Sequence, residues 1–220
     1  YLFFGSTSKM KVFSRKYKLN IVEQEYKQDV IKALKRDNAI QNSESNYLVL
    51  NENNPLNLLT LNNNVELLSR AGKSFKRMFE DMKNAKQSIH IAYYIIKMND
   101  DITKKMVKIL LKKLNEGIEV RIIYDMYGNI SSTRKDYKEL IAAGAEVYPY
   151  VPSRLKRFLT VNYHYHRKML IIDGVIAHTG GINIGDEYYK DNKRGPMWRD
   201  TTIRITGSAV TSLQFRYLSD

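Results

Sequence analysis

An α/β fold with a mixed, largely parallel sheet flanked by helices is predicted by two features of the sequence. From Val65 to Tyr150, short β-rich runs alternate with helical periodicities long enough to act as crossovers between parallel strands. Beyond Tyr150 the pattern becomes strand, tight turn and returning strand, which adds hairpin pairing to the same sheet.

The elements follow in order. Residues 21–36 have the spacing of an amphipathic helix, with Val22, Tyr26, Val30, Ala33 and Leu34 on one face. Residues 37–64 are rich in Asn and Ser and hold Pro55, which makes them a linker with one short strand near Tyr47–Leu50. Val65–Leu68 is a strand. Ser74–Ala85 is a helix with Phe75, Met78, Phe79 and Met82 inward. Ser88–Ile96 is a strand. Asp101–Glu116 is a helix with Ile102, Met106, Ile109, Leu110 and Leu114 in phase, stopped by Gly117. Glu119–Tyr124 is a strand, Thr133–Ala143 a helix closed by Gly144, and Glu146–Tyr150 another strand. His164–Ile172 and Val175–Thr179 are strands joined by a turn at Asp173-Gly174. A helix starts near Asn183, and Thr201–Ile205 is the last strand.

The 220 residues carry 36 Lys and Arg against 23 Asp and Glu, a net charge of +13. That balance calls for an anionic partner: nucleic acid, an anionic membrane surface or a phosphate ester. There is no cysteine, so disulfides, thiolate nucleophiles and zinc–thiolate sites are excluded. The first twenty residues begin YLFFG and then hold Lys9, Lys11, Arg15, Lys16 and Lys18 with no acid. A membrane helix immediately upstream would leave this trace, with the basic flank on the cytoplasmic side.

The chemistry concentrates in H-R-K-M-L-I-I-D at 166–173. His166 and Lys168 are two apart on a strand and share a face. A neutral imidazole is a competent nucleophile toward phosphorus, and a nearby ammonium neutralises the non-bridging oxygens as charge builds. Asn183, behind the Gly180-Gly181 pair, supplies an amide donor, and Gly181 supplies backbone to the same oxygens. A helix beginning there would point further N–H groups at the anion. No metal or other cofactor is needed. Between Val147 and Ile172 there is no acidic residue, and Arg154, Lys156, Arg157, Arg167 and Lys168 all lie in that stretch.

The full spacing, H-x-K-x4-D followed by G-G-x-N, resembles the signature of the phospholipase D superfamily. I-A-Y-Y-I-I at 91–96, E-G-I-E-V-R-I-I-Y-D at 116–125, T-G-G-I-N-I-G-D-E-Y at 179–188 and W-R-D-T-T-I-R-I-T-G at 198–207 are similar to bacterial cardiolipin synthases. The resemblance implies that two such motifs face each other across one site. One histidine attacks phosphorus and becomes phosphatidyl-histidine, and the other protonates the leaving alcohol. His166 takes the nucleophile's role. Asp200, in W-R-D, stands where the family keeps the carboxylate that holds the histidine ring. Asp173 completes the motif by tying the turn rather than by touching substrate.

Two positions depart from the family. Ala92 stands where a Glu is usual, and Met126 follows Asp125 where many members have Gly. Only one H-x-K-x4-D is present. His90 and His178 read as packed strand residues, and His164 reads first as a packed residue and second as one lining the site. Residues 1–20 are thus expected to be a basic juxtamembrane segment, 21–64 a helix and linker, and 65–220 a catalytic half-domain.

The expected function is phosphatidyl transfer between two phosphatidylglycerols, giving cardiolipin, at the cytoplasmic side of a bacterial membrane. The expected partners are anionic phospholipid, the membrane surface and a second motif-bearing half, with nucleic acid disfavoured. The isolated half is expected to be inactive. The alternatives are a single-motif homodimeric phosphodiesterase or nuclease and a non-catalytic domain that binds anionic lipid.

Overall fold

The computed structural model of the protein describes residues 60, 62–129, 134–150, 164–189 and 199–220. The helix expected over 21–36, the strand near Tyr47–Leu50 and the basic start lie outside these residues. The chain divides into two compact units, one comprising Asn64–Thr206 and the other comprising Tyr1–Asn63 with Gly207–Asp220.

The first unit is built on a seven-stranded sheet. In chain order its elements are β1 (Asn64–Leu68), α1 (Ala71–Lys83), β2 (Ser88–Tyr93), α2 (Asp101–Asn115) and β3 (Glu119–Asp125). A 3₁₀ turn (Arg134–Tyr137) leads into α3 (Lys138–Ala142) and β4 (Glu146–Tyr150). Then come β5 (Lys168–Ile172), β6 (Ile176–Gly180), α4 (Asp186–Tyr189) and β7 (Thr202–Thr206). The spatial order is β1-β7-β6-β5-β2-β3-β4.

The sheet is mixed, but its balance differs from the expectation. Pairs β2–β3 and β3–β4 are parallel, whereas β2–β5, β5–β6, β6–β7 and β1–β7 are antiparallel. The helical crossovers α2 and α3 account for the parallel half. Everything added after β4 enters antiparallel, starting with β5 alongside β2.

Local chemistry explains most boundaries. Asp173 at φ 54° and Gly174 at φ 67° are the two central residues of the β5–β6 turn, which Val175 N–H closes onto Ile172 O at 3.0 Å. That is the primed turn a two-residue hairpin requires. Gly117 at φ 81° ends α2 as the sequence indicates. The segment expected to be one helix over 133–143 is a 3₁₀ turn followed by the short α3, ended by Gly144 at φ 102°. All five residues of β5 are buried, so KMLII carries no polar alternation.

One face of the sheet meets α1 and α2. It carries Ile91, Leu170 and Ile122 in register, packed with Phe75, Met78, Met82, Ile102, Met106 and Leu110. His178 and Arg204 continue this row on β6 and β7, opposite Leu170 and each other. Asp81 of α1 meets both: its Oδ2 accepts His178 Nε2–H at 2.7 Å and Arg204 Nε–H at 2.7 Å, and its Oδ1 accepts Arg204 Nη2 at 3.2 Å. His178 Nδ1 has no partner among the described residues. On the other face, His90 Nε2 meets Glu119 Oε1 at 2.8 Å. Both histidines assigned to packing are thus strand residues tied to carboxylates.

In the second unit, α5 (Ala209–Ser219) follows Gly207. Asn63 Oδ1 accepts the Ala209 N–H at 2.7 Å and so caps this helix, which the sequence reading did not anticipate.

Burial alone would raise the Asp81 pKa, but the hydrogen bonds from His178 and Arg204 outweigh it and hold the carboxyl at about 2, against 3.8 ordinarily. A depressed carboxyl stabilises the fold fully above its unfolded pKa and loses that contribution as pH falls through the folded one. The triad should therefore contribute about 2 kcal/mol at neutral pH, lost on acidification from about pH 4 to about pH 2. Urea unfolding of wild type and Asp81→Asn across that range should show the variant less stable at pH 7 and flatter in acid. Parallel curves would remove the triad from the stability of the fold.

Candidate active site

The parallel strands β2 and β3 end at Tyr93 and Asp125, and antiparallel β5 begins at Lys168, directly opposite Tyr93. The H-x-K segment therefore enters the sheet at the carboxyl ends of two parallel strands, the side where open α/β sheets place ligand sites. The two residues stand together at the N-terminal end of β5, which starts at Lys168 rather than at His164 as expected, so that His166 lies before the strand. The backbone alternates here: His164 and His166 are exposed, whereas Tyr165 and Lys168 are buried.

Lys168 Nζ lies 3.0 Å from His166 Nε2 and 3.3 Å from the His166 carbonyl oxygen. Two of the three ammonium N–H bonds are thus given to His166. Tyr94 closes the group: its ring centroid is 4.7 Å from that of His166 and 5.0 Å from Lys168 Nζ. Burial, then the charges of Lys168 and His164, lower the His166 pKa below its ordinary value, with Asp125 pulling the other way. Burial also lowers the Lys168 pKa, and the Asp200 carboxylate opposes that shift. An ammonium donating to Nε2 keeps the imidazole neutral, with its remaining proton on Nδ1. The result is a ring nitrogen and an ammonium held side by side at the end of the sheet.

Beneath this pair lies Asp125, which is fully buried. Its Oδ2 accepts the Tyr165 N–H and its Oδ1 the Gly128 N–H, both at 2.6 Å. Asn129 is equally committed. Its amide donates to Tyr94 O at 2.6 Å and Asp125 O at 2.7 Å, and its Oδ1 accepts the Ile96 N–H at 2.7 Å. Gly128 is needed because a Cβ there would stand 2.6 Å from Tyr94 O and 2.8 Å from its ring. None of Asp125, Gly128, Asn129 or Tyr94 was singled out as a site residue from the sequence. The available signal was a charged residue closing an apolar strand, Glu119–Asp125, where a parallel strand delivers its ligand-facing end.

The other predicted residues are distributed differently. Asn183 is buried near the exit of β2: its Oδ1 accepts the Ile95 N–H at 3.3 Å and its amide donates to Tyr188 Oη at 2.9 Å. The second amide hydrogen has no partner among the described residues. The helix expected near Asn183 starts at Asp186, whose N–H is taken by Asp100 Oδ2 at 2.7 Å. The Gly181 N–H donates to Thr201 O at 3.1 Å and is not available to phosphate. What Gly181 provides is space, because a Cβ there would collide with the Asp200 carboxylate.

Asp200 itself accepts the Thr201 N–H at 2.6 Å, and among the described residues it makes no hydrogen bond to His166. The expected ring-holding contact is thus replaced by an electrostatic one to Lys168. Asp173 lies roughly 15 Å from Lys168, at the far end of β5. Its carboxylate accepts the N–H groups of Lys86, Gln87 and Ser88 at 2.7–3.1 Å. Arg154, Lys156 and Arg157 lie outside the described residues. Among those described, no cluster of three or more His, Asp or Glu side chains could hold a metal.

Residues 78–194 match the family described as "Cardiolipin synthase, PLD-like domain". The cardiolipin synthase of Oceanobacillus iheyensis is 44% identical over 146 residues, 66% of this chain and 30% of that protein. The major cardiolipin synthase of Bacillus subtilis is 40% identical over 156 residues, 70% of this chain and 32% of that protein. The chain thus spans about a third of the length of these relatives. Among solved structures, NucT from Helicobacter pylori superposes with a TM-score of 0.56 at 16% identity, covering 71% of this chain and 94% of that one. Phosphatidylserine synthase from Haemophilus influenzae gives 0.56 at 17%, covering 71% and 36%. At those identities the likeness is one of fold. With more than half of its residues inside the family match and the H-x-K pair at the mouth of its sheet, the chain belongs to the cardiolipin synthase family of phospholipase D-like domains.

Proposed function

We propose that this chain carries the nucleophilic half of a phosphatidyltransferase that makes cardiolipin from two phosphatidylglycerols. The observation that supports this best is the 3.0 Å pairing of His166 Nε2 with Lys168 Nζ, with burial and neighbouring cations keeping the imidazole neutral. An approaching phosphodiester draws the Lys168 N–H bonds from the imidazole to its own oxygens. The freed Nε2 lone pair attacks phosphorus, and the P–N bond forms as the P–O bond to glycerol breaks. The departing oxygen needs a proton, which comes from the histidine of a facing second motif. The hydroxyl of a second phosphatidylglycerol then returns a proton to that histidine, attacks phosphorus and frees His166.

In this scheme Lys168 carries the phosphate charge and the remaining Asn183 amide hydrogen is a further donor. Asp200 sustains the Lys168 charge, and Asp173 holds the strand. The partner surface is an anionic membrane on the cytoplasmic side, in keeping with the net charge of +13. No helix among the described residues is long and apolar enough to cross it.

One observation favours a second reading. The fold unit covers 94% of NucT and 92% of Nuc from Salmonella typhimurium, so a single unit is nearly a whole chain in those proteins. Two copies of this chain facing each other would then form a single-motif phosphodiesterase.

Three measurements bear on these readings. In the full-length enzyme, quenching with labelled phosphatidylglycerol should leave acid-labile label on His166. His166→Gln should remove that label and lower turnover on the order of 10³-fold or more. Label found on another residue would reject the assignment.

The acid limb of the turnover–pH profile should lie below pH 6.5, the ordinary histidine value, because the neutral imidazole survives to lower pH. Lys168→Gln removes a cation from beside the ring and should move that limb upward. A limb above 6.5 in wild type would contradict the geometry.

The purified 220-residue chain on phosphatidylglycerol vesicles should show no turnover above background, since it lacks the acid for the leaving alkoxide. Turnover rising with the square of protein concentration, on lipid or on DNA, would establish the paired single-motif reading instead.

A further inference from the structure

We infer that Asp125 is the positioning residue of the nucleophilic motif: its buried carboxylate seats the backbone at Tyr165 and thereby aims His166 and His164 out of the same side of the chain. The inference rests on His166 being the attacking group, and its geometry stands on four observations. Asp125 is 0% exposed, at the last position of β3. Its two oxygens each accept a backbone N–H at 2.6 Å, one from Gly128 in the loop that follows β3 and one from Tyr165, 40 residues on. Tyr165 is buried and immediately precedes His166, so the peptide that bears the nucleophile hangs from this carboxylate. His164, on the other side of Tyr165, has its Nδ1 3.9 Å from Asp125 Oδ1. Its ring stands edge-on to Tyr94 at 5.8 Å and to Tyr127 at 5.9 Å.

The physical need is plain. His166 precedes the first residue of β5, so no ladder hydrogen bond from that strand fixes its backbone. A side chain that must attack within a few tenths of an ångström requires support from elsewhere. A carboxylate accepting a short N–H bond in a buried place supplies it, because charge-assisted bonds of this kind are roughly twice as strong as neutral ones. The same carboxylate is a negative charge beneath the cluster of Lys168, His164 and His166, with Tyr94 above. Among the groups acting on His166, burial, Lys168 and His164 favour the neutral ring and Asp125 alone favours the protonated one.

Two substitutions separate the seat from the charge. Asp125→Asn keeps one acceptor, turns an amide N–H toward the other donor and removes the charge. Asp125→Glu keeps the charge and moves the oxygens by a methylene. In the full-length enzyme both should lower kcat about 10–100-fold with KM changed less than about threefold. A histidine NMR titration of the 220-residue chain adds a readout that a purely structural role would not move. The His166 midpoint should fall in Asp125→Asn and stay near wild type in Asp125→Glu.

Wild-type kcat together with an unmoved His166 midpoint in a folded Asp125→Asn protein would overturn the inference. If that variant does not fold, hydrogen exchange in wild type decides. The Tyr165 and Gly128 amides should be protected, and rapid exchange of both would overturn the seat. Label trapped elsewhere than on His166 would sink the nucleophile assignment while leaving a shifted His166 midpoint as evidence for Asp125.

Discussion

The register of β5 against β2 is the constraint on which the site depends. With Lys168 opposite Tyr93, the ammonium emerges on the face and at the end where His166 and Tyr94 stand. A slip of one residue would turn Lys168 to the opposite face and put Met169 in its place. Asp173 prevents that slip from the far end of the strand. Three consecutive N–H groups at the start of β2 converge on its carboxylate, so the hairpin turn and the neighbouring strand are pinned together at a fixed offset. The aspartate of the motif thus pins the strand that begins at Lys168, five residues away, by bonds to the backbone of the neighbouring strand.

The loops that complete the site are held in the same way, by side chains that take up backbone N–H groups. Asp186 accepts from Asp101 and Ile102 at the start of α2, and Asp100 accepts from Asp186 at the start of α4. This reciprocal pair ties the exit of β2 to the segment that follows the two glycines. Ile184 joins the same seam, donating to Ile95 O and accepting from Lys97 at 2.9–3.1 Å. Each helix start would otherwise leave free donors. The consequence for function is rigidity without a large core at the sheet's open end. Tyr94 sits between two such anchored loops and therefore forms a fixed wall against His166.

Electrostatically, the site is a small basic group whose charge is conserved by distant acids. Burial works against the Lys168 ammonium, and Asp200 works for it. Asp200 occupies the space left by the missing side chain of Gly181, whose own N–H is taken by Thr201 O. A fold of this kind is shared by proteins whose sequences are only 16–17% identical to it, so the fold alone does not select a reaction. Selection lies in what approaches this group and in what stands opposite it.

Much of this was legible in the residues themselves. Period-3.6 patterns in 74–83 and 101–115, alternation and apolar runs in the strands, and Asp-Gly at 173–174 report local physics, and local physics decided those elements. His166 and Lys168 were legible because two-residue spacing near a strand carries their geometry with it. What the sequence could not settle were contacts between residues far apart in the chain. The direction in which β5 joins the sheet, the Asp81–His178–Arg204 triad across 123 residues and the Asp125–Tyr165 seat across 40 are such contacts. Asp200 was expected on His166 and lies over Gly181, because its position is set by where β7 meets the end of β6, not by its distance from the motif along the chain. Tertiary structure decided these points for one physical reason. A carboxylate has no preferred partner until the fold brings a donor or a cation to within bonding distance.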